Sequence, residues 1–150
     1  MQEFTVTTLP TQKTLSITHN STKEAFKDLF PMWMPKVFEY AKSLGLGPAP
    51  MFGRYHEFTD EKVVLEIGII IPHDVKAEGE ITQNEIPGGE VVMTRHIGSY
   101  DTLIDSWTGL YTWLNINEKM PMGPCWELYL TDPSIEPDPA KWVTEIYQPI

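Results

Sequence analysis

Cysteine, positive charge and long apolar runs are all scarce in this chain, and each scarcity removes a class of function. The one cysteine among 150 residues, Cys125, excludes an intramolecular disulfide framework, provides no metal-ligand spacing and suits a reducing, cytoplasmic setting. Eleven basic residues face 21 acidic ones, a formal charge of −10, so the mean field repels nucleic-acid phosphates and anionic headgroups and favours cations and cationic protein patches. The longest apolar run, Ile67 to Pro72, is far too short to cross a bilayer, and the start Met1-Gln2-Glu3-Phe4-Thr5 reads as no export signal. Catalytic signatures are missing too. There is no G-x-S-x-G, and His19, His56, His73 and His96 show neither H-E-x-x-H nor another zinc spacing. Cys125 precedes Trp126 in a strand with no cue to a base, so neither a metal nor a cofactor is expected. The two long helical patterns are separated by strands and carry aromatic stripes instead of basic faces, which excludes a helix-turn-helix.

What the chain does contain is enough apolar sequence, 41% hydrophobic and 11% aromatic, for a single domain over residues 1–150. Its organising feature is a weak internal repeat. Thr14-Leu-Ser-Ile-Thr-His19 alternates like a strand and is followed by a helical stretch to Gly45, a Gly47-Pro48 break and two strand-like runs. Glu90-Val-Val-Met-Thr-Arg-His96, a helix from about Ser99 to Asn117, a Gly123-Pro124 break and two closing strands repeat that order. Two strand-helix-strand-strand modules follow, about 1–80 and 81–150, giving an α+β domain whose antiparallel sheet carries its helices on one face. Ile81 to Glu90, with Pro87-Gly88-Gly89 as its turn, reads as a hairpin between the modules.

Ser21-x-x-Glu24 predicts a capping box for the first helix, whose buried stripe is Phe26, Leu29, Phe30, Trp33, Val37, Phe38, Ala41 and Leu44. Pro31 and Pro35 predict a kink, or a split near Phe30. In the second helix Leu103, Trp107, Leu110, Tyr111 and Leu114 form the matching stripe, capped by Ser99 or Asp101. Asp138-Pro139 predicts a capped helical turn inside an otherwise irregular proline-rich stretch.

A strand period of two gives the embedded polar residues a direction. Glu66 falls opposite Leu65, Ile67 and Ile69. In the penultimate strand Trp126, Leu128 and Leu130 read as the core face, which places Glu127 and Tyr129 together opposite them. The last strand puts Val143, Glu145 and Tyr147 on one side and Trp142, Thr144 and Ile146 on the other. A carboxylate beside Trp126, Leu128 and Tyr129 must face water, meet a cation or take up a proton, because burying it alone is costly. Glu66 and Glu145 read equally well as solvent-facing strand residues, the tyrosines as edge or core aromatics, and His56 and His96 as structural.

Six short motifs together resemble the GyrI-like small-molecule-binding family, which includes effector domains of some AraC-type and multidrug-responsive regulators. They are Gly53-Arg-Tyr-His-Glu-Phe58, Glu66-Ile-Gly68 with Pro72, Pro87-Gly-Gly-Glu-Val91, His96-Ile-Gly-Ser-Tyr100, Gly123-Pro-Cys-Trp-Glu127 and Thr144-Glu-Ile-Tyr147-x-Pro149-Ile150. The resemblance implies tandem modules with pseudo-two-fold symmetry, a central cleft, and an acidic residue in the strand after Gly-Pro, here Glu127. It also implies that Tyr55, Glu66, Tyr100, Tyr147, Trp107 and Trp113 line the cleft and that the ligand is an amphipathic, lipophilic or cationic aromatic molecule. A standalone copy of such a domain is expected to act as a ligand-binding protein. Two alternatives stand beside that expectation: a hydrolase of cyclopropane-bearing alkylating compounds with Glu127 as its catalytic group, and a gyrase-inhibitor-like domain that binds a protein partner.

Overall fold

The computed structural model describes residues 2–77 and 79–150; Met1 and Glu78 lie outside the description. The chain divides into two compact units, one of Pro10–Gly88 and one of the strand ending at Leu9 together with Gly89–Ile150. The first unit contains β2 (Gln12–Ser21), α1 (Leu29–Ser43), β3 (Met51–Phe58), β4 (Val63–Ile70) and β5 (Thr82–Ile86). The second contains β1 (Phe4–Leu9), β6 (Gly89–Ile97), α2 (Leu103–Ile116), β7 (Cys125–Tyr129) and β8 (Val143–Pro149). All strand pairs are antiparallel: β3-β4-β2-β5 in the first unit and β7-β8-β6-β1 in the second. Each unit is thus strand-helix-strand-strand with one further strand beside its first, and the two strand orders correspond member for member. The hairpin expected over Ile81 to Glu90 does not form, because β5 pairs with β2 while β6 pairs with β1 and β8.

In the first unit α1 packs Leu29, Val37 and Ala41 on Leu15, Ile17, Leu65, Ile67 and Ile69. These aliphatic side chains are almost wholly removed from water, each contributing about 1.5–3 kcal/mol of transfer free energy. Phe38 and Leu44, expected on the buried stripe, are exposed. Pro31 falls in the first turn of α1, where its missing donor is an orphan in any helix, and Pro35 lies inside it. The expected cap shifts by one residue, since Ser21 ends β2 and Thr22 Oγ1 accepts from the Ala25 amide at 3.2 Å. α1 terminates on Gly45 at φ 76°, where the Leu46 and Gly45 amides donate to the Ala41 and Lys42 carbonyls. That paired closure needs a left-handed residue, which glycine adopts without steric cost.

In the second unit Leu103, Leu110 and Leu114 of α2 pack on Val92 and Ile146, with Phe4, Trp107 and Trp113 at the margin. Ser99 caps the turn that leads into α2 by accepting from the Asp101 amide. Asp138 does the same for Ala140 in the turn Pro139–Lys141. Tyr111, expected in the buried stripe, is 44% exposed. No helix among the described residues is long and apolar enough to cross a membrane.

Candidate functional site

Cross-strand partners share a face of a sheet, so the register decides which residues meet. Glu127 pairs with Ile146 and Tyr129 with Thr144. Because Ile146 lies in the core under α2, Glu127 and Tyr129 face the helix. Trp126 pairs with Tyr147 on the other face and stacks on it, with centroids 5.1 Å apart and planes 10° apart. The expected assignment of Trp126 and Leu128 to the helix side is therefore reversed. β7 is covered on both faces, Trp126 and Glu127 both being buried, and alternation in so short a strand carries no contrast to show which face takes the helix.

Glu127 is 4% exposed. Its Oε2 accepts from Trp107 Nε1 at 2.6 Å, and its Oε1 accepts from the Tyr129 hydroxyl at 2.6 Å. Tyr100 sets its ring edge-on to Tyr129 at 5.8 Å and tilts against Trp142 at 4.9 Å, while Trp107 lies along Tyr111 at 6.1 Å. A carboxylate in a low-dielectric, aromatic setting is held in place by two neutral donors. Its field reaches Tyr100, whose phenol is pushed above its ordinary value by burial first and then by the charges of Asp132 and Glu127.

Two further buried carboxylates have different surroundings. Glu145 and Tyr147 share the face opposite α2, where Arg95 Nη2 reaches Glu145 Oε2 at 2.8 Å and the Tyr147 hydroxyl donates to Glu145 Oε1 at 2.9 Å. Burial, then the hydrogen bond to Glu145 and its charge, push the Tyr147 phenol strongly upward. In the first unit Glu66, 3% exposed, accepts from Ser16 Oγ at 2.6 Å and meets His56 Nε2 at 2.7 Å, with Arg54 Nη1 at 3.6 Å. Asn84 Nδ2 in turn donates to Ser16 Oγ at 2.9 Å. A register shift between Tyr55 and Glu57 leaves His56 unpaired in the ladder, which lets its ring reach the carboxylate. Ser16, Arg54 and His56 carry no sequence signal as partners of Glu66, since strand register brings the first two to it and the bulge brings the third.

Among the expected site residues, the structure brings Glu127, Trp107 and Tyr100 together and adds Tyr129 and Trp142. Tyr147 lies on the opposite face, and Trp113 stacks on Phe4 at the margin of the core. Tyr55 and Glu66 belong to the first unit, on opposite faces of its sheet; Tyr55 is packed edge-on to Phe26 and Phe58. His96 Nδ1 meets Ser106 Oγ at 2.7 Å and its Nε2 the Ser99 carbonyl at 3.0 Å, which ties β6 to α2. Among the described residues no three or more His, Cys, Asp or Glu side chains are arranged to hold a metal ion.

The two strand registers correspond residue for residue. Glu66 and Glu145 precede the matched pair Ile67 and Ile146 in equivalent strands, but their arginines come from different sides: Arg54 from β3, where the second unit has Leu128, and Arg95 from β6, where the first has Thr18. The acids correspond in position and their ion pairs do not. Glu127, paired with Ile146, corresponds to Gly53, paired with Ile67. The module folds with no side chain at that position, so the second unit's carboxylate is an addition that the fold does not require.

A family model for the GyrI-like small-molecule-binding domain matches residues 2–150. The chain is similar to the EcmrR C-terminal domain, with 25% identity and a TM-score of 0.86, over 99% of this chain and 97% of that one. Against EcmrR in its DNA complex the identity is 25% and the TM-score 0.85, covering 99% of this chain but 57% of the other, so the chain spans little more than half the length of that protein. SAV2435, solved bound to tetraphenylphosphonium, shares the fold at 13% identity and a TM-score of 0.69, over 98% of this chain and 93% of that one. None of the curated proteins matches. A buried acid following Gly-Pro, set among aromatic rings and enclosed by a family match over nearly every residue, places this chain in the GyrI-like small-molecule-binding family.

Proposed function

We propose that the second unit binds an amphipathic, lipophilic cation, with Glu127 meeting the positive charge and Trp107, Tyr129, Tyr100 and Trp142 providing aromatic surface. The observation that carries this reading is the Glu127 carboxylate itself: buried, oriented by an indole and a phenol, ringed by aromatic side chains, and standing where the duplicated unit has glycine. Oriented donors fix the carboxylate in position before a ligand arrives, and aromatic faces add about 0.5–2 kcal/mol of attraction for a cation. The tetraphenylphosphonium bound to SAV2435 supports the same chemistry.

Tetraphenylphosphonium is the direct probe. At a concentration of about 100 times its Kd it stabilises the fold by about 2.7 kcal/mol, read as a rise in Tm, whereas neutral triphenylphosphine oxide gives a smaller rise. Glu127→Gln, which keeps the shape and removes the charge, weakens the cation about tenfold or more, about 1.4 kcal/mol. Equal affinity of wild type and variant for the cation sinks the reading.

The Tyr129 hydroxyl against Glu127 Oε1 favours one second reading, because a phenol beside a carboxylate is a proton-transfer pair of the kind general acid-base catalysis uses. On that reading a cyclopropane-bearing alkylator incubated with the protein yields ring-opened product by mass spectrometry, and Glu127→Gln abolishes it.

A further inference from the structure

We propose that Thr144 is a second polar anchor of the Glu127 site, and that the ligand selected is a lipophilic cation carrying a hydrogen-bonding group rather than a purely hydrocarbon one. The proposal rests on the reading of Glu127 above and adds to it a ligand class and a residue.

Thr144 pairs with Tyr129 on one side and His96 on the other, so it lies on the helix-facing side, directly across from the phenol that holds Glu127. It is 0% exposed, and its Oγ1 has no hydrogen-bond partner. Its neighbours are committed elsewhere. The Tyr129 hydroxyl donates to Glu127; the two ring nitrogens of His96 are taken by Ser106 Oγ at 2.7 Å and the Ser99 carbonyl at 3.0 Å, with Thr102 Oγ1 at 3.2 Å.

A buried hydroxyl without a partner costs free energy that an apolar side chain of similar shape does not. The first unit shows what the module accepts at this position. There the residue paired with His19 on one side and Tyr55 on the other is Leu65, a core side chain 1% exposed. An aliphatic residue therefore fits the fold, and the second unit departs from it twice in adjacent positions on one face: glutamate where the first has Gly53, and threonine where it has Leu65. Both departures add polar atoms to one patch. A ligand that meets the carboxylate with its charge and the hydroxyl with a hydroxyl, ether or carbonyl oxygen accounts for the pair.

The test compares tetraphenylphosphonium with its meta- and para-hydroxyphenyl analogues by titration calorimetry, reading the ratio of affinities. Wild type prefers at least one hydroxyphenyl cation by about threefold to tenfold, the range of one net neutral hydrogen bond. In Thr144→Val the ratio collapses to about one, while Thr144→Ser, which keeps the hydroxyl, retains it. In the ligand-free protein Thr144→Val melts no lower than wild type. A ratio that survives in the valine variant, a wild-type ratio of one, or a lowered melting temperature for ligand-free Thr144→Val overturns the proposal. Failure of the underlying reading shows separately, as equal affinity of wild type and Glu127→Gln for tetraphenylphosphonium, and overturns the anchor with it.

Discussion

Among the described residues three glutamates are buried, each in a different physical situation. Glu66 is held by Ser16, His56 and Arg54. Burial is the largest single influence on it and pushes its proton affinity up. The hydrogen bonds from His56 and Ser16 and the charges of His56 and Arg54 together outweigh that, holding it below the ordinary glutamate value of 4.5. The folded chain therefore binds this proton less readily than the unfolded chain, so the stabilisation is complete above about pH 4.5 and is lost as pH falls through the lower, folded value. Urea unfolding of wild type and Glu66→Gln is expected to show a gap of about 1–3 kcal/mol at neutral pH that closes as the solution is acidified; a gap unchanged at low pH refutes the ion-pair account. Phenols behave in the opposite sense. Tyr100, Tyr111 and Tyr147 are all raised above the ordinary value of 10, in each case by burial first. Their stabilisation is complete below about pH 10 and is lost as pH rises through the folded values. Ultraviolet titration should accordingly find these three tyrosines ionising late, and late ionisation of Tyr100 should lessen in Glu127→Gln.

At the scale of elements, close approach is what composition alone does not reveal. A Cβ on Gly68 would stand 2.5 Å from Ser16 Cβ, 2.6 Å from the Leu15 carbonyl oxygen and 2.9 Å from the Phe52 ring. Gly68→Ala is expected to lower stability by about 3 kcal/mol, as overpacking between strands β2, β3 and β4 does. Gly45→Ala, with open space around it but φ at 76°, costs only about 1 kcal/mol through the left-handed backbone; chemical denaturation of the two variants checks the order. The helical stripes were legible because aromatic and aliphatic residues recur every three to four positions, and the structure buries Leu29, Val37 and Ala41 in one helix and Leu103, Leu110 and Leu114 in the other. The face of β7 was not legible. Cys125-Trp-Glu-Leu-Tyr129 has bulky side chains on both parities, and Trp126 reaches burial by stacking on Tyr147, away from the helix. No hairpin forms over Ile81 to Glu90, because Pro-Gly-Gly marks a break equally well between strands that pair elsewhere.

For the molecule as a whole, the charge of −10 acts on ligands before any contact. Tetraphenylborate, the anionic counterpart of tetraphenylphosphonium in size and shape, is expected to produce no rise in Tm, and raising the ionic strength should weaken the cation; comparable shifts from both ions mean that apolar area alone drives binding. The repeat, the strand-helix-strand-strand order and the α+β class were all determined by the amino-acid order, because periodicity, turn residues and duplication are local or additive signals. Only the tertiary structure decided that Glu127 faces α2 and is held by Trp107 and Tyr129, that Glu66 and Glu145 meet arginines from different neighbouring strands, and that Thr144 takes the position of Leu65. Those facts depend on strand register, which joins residues distant along the chain and reverses the facing of every side chain when it shifts by one.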